Sequence, residues 1–320
     1  MRAPISCVLY KEARSYDPDV INEKDVEWTK TLHVLGFNYD LWKAFVSGPG
    51  VYIDRGRVDV ENGHDPNALG ADVPSMVCYS RNHKTIFPFH RCCYEILAKC
   101  LTGSFDDGKL EKDLLFSVME KLAPITEHLL LGIDYGTVSG MHRHFWESHA
   151  GYELVVSQPR DVPGASEAVL SMLGSDAFKT TYARADLGSR VRHDPFYKTP
   201  YDIAHSICSY VSDTDVTNLA MASYHVHVLL QNNNQFWGPR TRSSLPWFFE
   251  LQELLEQDQT LLETNDDQRV FQWAERVTRP EKWLTGPFMG VANRRRIWSV
   301  CEQLGEKYKE FQIDHDTSDV

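Results

Sequence analysis

The apolar residues of this chain change their spacing near residue 89, and that change limits it to folds in which strands and helices are segregated. After Trp28 come short β-branched and aromatic runs: Leu32, Val34 and Phe37, then Phe45-Val46, Val51-Tyr52-Ile53, and Val58 with Val60. They are bounded by Ser47-Gly48-Pro49-Gly50 and Arg55-Gly56, which are hairpin signals. Asp65-Pro66-Asn67 marks a loop, and Met76-Val77-Cys78-Tyr79 predicts a further strand. From Phe89 the spacing becomes helical. Phe89, Cys93, Ile96, Leu97 and Cys100 predict a helix over 89–101, preceded by Pro88 and stopped by Gly103. Leu110, Leu114, Val118 and Leu122 predict a second over 110–122. Shorter apolar pieces follow at 129–133 and 152–156, and 160–193 reads as mixed and turn-rich. Beyond Pro195 the chain reads as almost all helix, ending in one over about 293–311 with Ile297, Cys301, Leu304 and Tyr308 on one face. The expected class is α+β: a β-rich, mixed module over 1–194, a three-helix unit over 195–240 and a helical region over 241–320.

A net charge of −12 argues against nucleic acid as a main partner, because phosphate neutralisation needs a dense basic surface. The one basic run, Arg294-Arg295-Arg296, lies in an apolar-periodic segment and reads as a solvated helix face rather than a nuclear signal or anion site. The 7 cysteines are odd in number, unevenly spaced and without a CxxC pair, which is the usage of reduced thiols in the cytosol or nucleus. Cys7-Val8-Leu9-Tyr10 is too short for a signal segment, and no stretch approaches the ~20 apolar residues of a membrane span. The expectation is a soluble intracellular protein without a membrane partner.

The segment Thr199 to Trp237 carries the functional argument. Pro200 pre-sets a first turn, and Ile203, Ile207 and Val211 recur every four residues. Asp213-Thr214-Asp215 breaks that helix and offers a capping carboxylate to the next. Val216, Leu219, Ala220, Ser223, Val226 and Leu230 form a second stripe, Asn232-Asn233-Asn234 ends it, and Phe236-Trp237 close the unit. About forty residues cannot bury a good core alone, so this unit must pack on the rest of the chain or on a partner.

This order of features resembles the F-box: Pro, an acidic residue and Ile, an aliphatic stripe, an acidic turn, an Ala/Ser-rich second helix and a terminal Phe-Trp. The flanks, including Phe45-Val46-Ser47-Gly48, Asp134-Tyr135-Gly136 and Asn293 to Trp298, are similar to fungal F-box-domain proteins with an N-terminal module of unknown role. The resemblance implies a substrate receptor of a Skp–cullin–F-box ubiquitin ligase. Its Skp-type adaptor would be gripped through Pro200, Ile203, Ile207, Val211, Val216, Leu219 and Trp237, and the flanking modules would hold a target protein. Such a receptor supplies proximity and needs no cofactor and no covalent chemistry of its own. F-boxes usually begin Leu-Pro, where this chain has Thr199-Pro200, a loss of apolar contact of very roughly 1–2 kcal/mol. An alternative implied by Thr199 and the internal position of the box is a fungal specialised-metabolism enzyme that keeps these helices as scaffold.

Catalytic and metal signals are thin. His142 and His144 would point to one side of a strand, as two metal ligands must, but apart from Glu147 nothing with tight ligand spacing joins them, and they read as ordinary surface or loop histidines. His225 and His227 sit roughly 200° apart on a helix and read as structural. Cys92-Cys93 beside His90 and Arg91 could host a reactive thiolate, although Cys93 is expected to pack on the apolar face of its helix. Neither a P-loop nor a nucleophile elbow is present.

Overall fold

A computed structural model describes residues 16–53, 57–61, 63–68, 76–77, 85–123, 131–136, 148, 150–179, 193–257 and 264–318. The fold is α+β. Two antiparallel three-stranded sheets, ordered β2-β1-β6 and β3-β4-β5, are built from β1 (His33–Asn38), β2 (Lys43–Val46), β3 (Gly50–Tyr52), β4 (Arg57–Val60), β5 (Met76–Val77) and β6 (Phe87–Phe89). The helices are α1 (Arg91–Thr102), α2 (Lys112–Leu122), α3 (Ala165–Leu173), α4 (Tyr201–Tyr210), α5 (Asp213–Ala222), α6 (Tyr224–Leu230), α7 (Asn234–Ser244), α8 (Phe249–Gln257), α9 (Asp267–Val277) and α10 (Met289–Ser318).

The chain forms two compact units, one of residues 1–162 with 279–320 and one of residues 163–278. This differs from the expected divisions after 194 and 240. The last helix carries an apolar face (Ile297, Cys301, Leu304 and Tyr308, all buried) that packs on α1 and α2, so the C-terminal segment completes the N-terminal unit. Residues 199–237 lie inside the second unit and not between two modules.

In the first unit the register Leu35↔Val46 and Leu35↔Phe87 sets β1 between β2 and β6. Val34, Phe45, Val58 and Ile86 form a core with Leu32 and Val60. Phe89, expected to open the first helix, instead ends β6, and α1 begins at Arg91. The N-terminus of α2 is tied to the sheet: Asp113 accepts from the Ala44 N–H at 2.6 Å and from Lys43 Nζ at 2.8 Å, and Lys112 donates to Asp65 at 2.5 Å. Asp65 also accepts from the Val46 and Asn67 N–H groups; burial works to raise its carboxyl, and these donors outweigh it. At the start of α10, Gly290 allows a close approach, because a Cβ there would stand 2.4 Å from the Gln158 carbonyl oxygen.

The triplet expected to be a solvated face is not one. Arg294 is fully buried, donating through Nε to the Pro159 carbonyl at 2.5 Å and through Nη2 to the Arg160 carbonyl at 3.0 Å. Asn293 donates to the Val155 and Ser157 carbonyls at 3.2 and 2.8 Å. These two side chains take up carbonyls of 155–160 that no strand pairs, which is why they are polar on a buried face.

In the second unit, the region expected to be turn-rich contains α3, started by Gly164 at φ 76° and burying Ala165, Val169 and Leu173. The expected second stripe of the F-box-like segment is broken at Ser223 into α5 and α6. Phe236-Trp237 open α7 rather than close the unit.

Candidate functional site

Helix α4 divides its apolar residues between two faces. Ala204 and Cys208 point inward at 3% and 1% exposure, and Ile203 and Ile207 stand in solvent at 54% and 38%. Pro200, Ile203, Ile207 and Tyr210 follow one another at helical spacing, and all four are exposed, so they share one solvent face. Of the residues singled out in the sequence, Val211 and Leu219 are half-buried. Val216 and Trp237 are core: Val216 is fully buried, and Trp237 packs its ring against Phe271 while its indole N–H donates to the Leu230 carbonyl at 2.9 Å. Being buried, they are not part of the solvent face, which is therefore narrower than the seven residues expected.

The backbone of this face is fixed by residues the sequence reading missed. Arg240 on α7 donates to the carbonyls of Cys208 (2.8 Å) and Val211 (2.7 Å), which closes the C-terminus of α4, and its Nε meets the Asp213 carboxylate at the start of α5. A cation at one helix end and an anion at the next helix start are both favoured by the helix dipoles. The cap of α5 is Ser212, whose hydroxyl accepts from the Asp215 N–H at 3.1 Å; the expected carboxylate cap is instead the residue that Ser212 hydrogen-bonds in return. Asp194 fastens the segment leading into α4. Burial works to raise its carboxyl, but the His225 and Phe196 N–H groups and the Ser223 hydroxyl donate to it and hold it below the usual range. His225 donates from Nε2 to the Thr199 carbonyl at 3.0 Å, which makes it structural, as expected. Hydrophobic periodicity carries no sign of Arg240 or Asp194, because most of their partners lie about thirty residues away in sequence.

The first unit holds a pocket of about 250 Å³ between α1, α10, β6 and the segment 131–135. Helix α1 contributes Cys93, Tyr94 and Leu97, and α10 contributes Arg296, Val300 and Leu304 at i, i+4, i+8. Its few polar groups are specific. His90 donates from Nδ1 to the Thr31 carbonyl at 3.0 Å, since a carbonyl can only accept, and burial holds the imidazole below its ordinary pKa and therefore neutral. Tyr135 accepts at its hydroxyl from the Leu131 N–H at 3.1 Å. Arg296 donates from Nε (3.2 Å) and Nη2 (2.9 Å) to the Asn293 side-chain oxygen, and burial pushes its guanidinium down from its usual value. Cys93 and Cys92 hold a proton unequally: the Cys92 thiol hydrogen-bonds to Cys93 and lowers it against burial, with help from Arg296, and Cys92 is raised in turn. Cys93 lines the pocket from α1, on the same face as Leu97. Cys93 and Arg296 are half-buried, and both line the pocket. One sign was readable in the sequence: Arg296 stands on the same helical line as Val300 and Leu304.

Cys92, Cys93, Cys100, Cys208 and Cys301 are free thiols, and Cys7 and Cys78 lie outside the described residues. So do His142, His144, Glu147 and His149. Among the described residues no group of His, Cys, Asp and Glu is placed to hold a metal, and no helix is long and apolar enough to cross a membrane. No family model matches this chain, and neither a curated protein nor a solved structure matches it.

Proposed function

We propose that this chain is a substrate receptor that docks onto a Skp-type ubiquitin-ligase adaptor through the solvent face of α4. One observation carries the reading: Ile203 and Ile207 point away from the core on the helix whose sequence resembles the first helix of an F-box. Single exposed apolar residues need no explanation, but aliphatic and aromatic side chains aligned over three turns of one helix form a stripe suited to a groove. Burying that stripe would contribute at about 25 cal/mol per Å² of apolar area removed from water. Pro200 sits at its N-terminal end, where Thr199 replaces the usual Leu. Val211 and Leu219 are half-buried, and the buried Val216 and Trp237 belong to the core of the unit.

Calorimetry of the full chain against a purified Skp-type adaptor tests the reading. Wild type binds, and Ile207→Asp loses binding while keeping its helical circular dichroism, because a carboxylate brought unpaired into an apolar contact costs several kcal/mol. Thr199→Leu tightens binding by about 1 kcal/mol, somewhat under tenfold. Absence of binding in both wild type and Thr199→Leu would end the ligase reading.

A further inference from the structure

The pocket of the first unit contains a permanent positive charge, Arg296, that no described carboxylate pairs; the acid it acts on there is the Cys93 thiol, which it draws down. Arg296 makes no ion pair with any described carboxylate; its hydrogen bonds go to the neutral side chain of Asn293, which occupies Nε and one Nη2 proton. The remaining N–H groups have no protein acceptor among the described residues. A guanidinium cannot escape by losing its proton, and a half-buried charge among apolar side chains gains from an anion that pairs with it. The position is also held in place from outside the pocket. Asn293 is itself fixed by the Val155 and Ser157 carbonyls, and Gln303 fastens the adjoining segment by accepting from the Asp134 N–H at 2.9 Å and donating to the Asp134 carbonyl at 2.7 Å. Gly136, next in that segment, lies against the Arg296 side chain, with a Cβ built there 3.5 Å from Cγ. Beside it, Tyr135 uses its hydroxyl oxygen to accept from Leu131 and keeps its proton free to donate.

We propose that this pocket binds a small amphipathic carboxylate, with the carboxylate on Arg296 and Tyr135 and an alkyl or aryl body along Leu97, Leu115, Met119, Val300 and Leu304. Guanidinium and carboxylate match in plane and fork, and the pairing supplies the missing anion. Size sets the body. A cavity of about 150 Å³ holds benzene, so 250 Å³ suits a ligand on the order of ten non-hydrogen atoms. Charge sets the head. One cation and one neutral donor satisfy a monoanion, whereas a phosphate dianion would leave negative charge buried without a partner. A bare inorganic anion would leave the apolar part of the pocket unfilled. This inference does not depend on adaptor docking by the second unit.

The test is calorimetry on the full chain at pH 7.5 with octanoate, 3-phenylpropanoate and the neutral octanamide. Octanoate should bind one to one and at least about tenfold tighter than octanamide, a comparison that needs no variant. Arg296→Met, close in volume and without charge, should remove that preference while circular dichroism stays unchanged, and Leu304→Trp should block all three compounds by filling the pocket. The proposal is overturned if neither carboxylate binds, if octanamide binds as tightly as octanoate in wild type, or if the preference survives in Arg296→Met.

Discussion

The two units break the inside-out rule of protein surfaces in opposite senses. In the second unit the anomaly is outside: Ile203 and Ile207 are in water, while charged Arg240 and Asp194 tie backbone groups at the end of α4 and the start of α6. In the first unit the anomaly is inside, with Arg296 lining an apolar pocket and no carboxylate among the described residues paired with it. An exposed aliphatic stripe costs the folded chain little, because water is present in the unfolded state too, and most of a folded protein's surface is apolar in any case. A half-buried cation lining an apolar pocket carries a desolvation penalty. The first kind of anomaly shows itself only when a partner arrives, and the second should be measurable in the chain alone.

The largest effect expected from breaking this contrast is at Arg240. Its guanidinium closes the C-terminus of α4 and links it to Asp213, so Arg240→Ala leaves two carbonyls without that donor and takes the cation from the half-buried Asp213 carboxylate, which keeps the Ser244 hydroxyl at 3.3 Å. A loss of about 3 kcal/mol follows, in the range for breaking a partly buried charge network, and urea unfolding measures it. A loss under about 1 kcal/mol would mean that water replaces the guanidinium and that the face of α4 is not held as described.

The next effect compares the hidden charges of the two units. Asp267, in the first turn of α9, is buried; desolvation, then the neighbouring Asp266 charge, push its carboxyl up to about 7, against the pull of Arg242. A carboxyl can relieve its burial by keeping a proton, which is the escape Arg296 lacks. With the folded value above the unfolded one, the folded state holds the extra proton between about pH 4 and pH 7. Its contribution is therefore full below about pH 4, falls as pH rises, and levels off above about 7. Asp267→Asn should flatten that part of the stability curve and be the more stable protein at pH 8, by roughly 2 kcal/mol, with the difference gone near pH 4. Denaturant midpoints of both proteins across that interval decide it.

What the sequence made legible follows from the range of the forces involved. The α+β class, the strands from β1 to β4 and the apolar face of α10 came from nearest-neighbour spacing, which local burial enforces residue by residue. The break at Ser223 was hidden because Ser223 satisfies two patterns at once: it continues a stripe and it caps α6, accepting from the Val226 N–H. The return of residues 279–320 to the first unit was out of reach, since the partners of Asn293 and Arg294 are more than a hundred residues earlier. The arginine triplet misled for the same reason. Charge in a run usually marks solvent, and only the unpaired carbonyls of 155–160 explain why Arg294 is inside.

A smaller effect is expected at Arg296. If its charge is enclosed without a partner in the free chain, Arg296→Met should be neutral or should raise stability by about 1 kcal/mol, as replacing a buried charge by an apolar group of similar size often does. Thermal unfolding without ligand measures it. A clear loss of stability would mean that a counter-charge is already present, and the two units would then not differ in the way argued.

The smallest effect tests the outer anomaly directly. Ile203 is more than half exposed on α4, so Ile203→Lys trades one solvated side chain for another of good helix propensity and should move stability by no more than about 0.5 kcal/mol. On α5, Val216→Ala removes methyl groups from a fully buried side chain and should lose about 2 kcal/mol. The pair is informative because both residues were read from the sequence as members of one docking surface. If Ile203→Lys is silent in urea unfolding yet abolishes capture of the adaptor, and Val216→Ala weakens the fold while the surviving folded protein binds normally, then α4 supplies the contact and α5 the support. If Ile203→Lys destabilises as much as Val216→Ala, Ile203 packs within the chain in solution, and the stripe on α4 is core and not a surface for a partner.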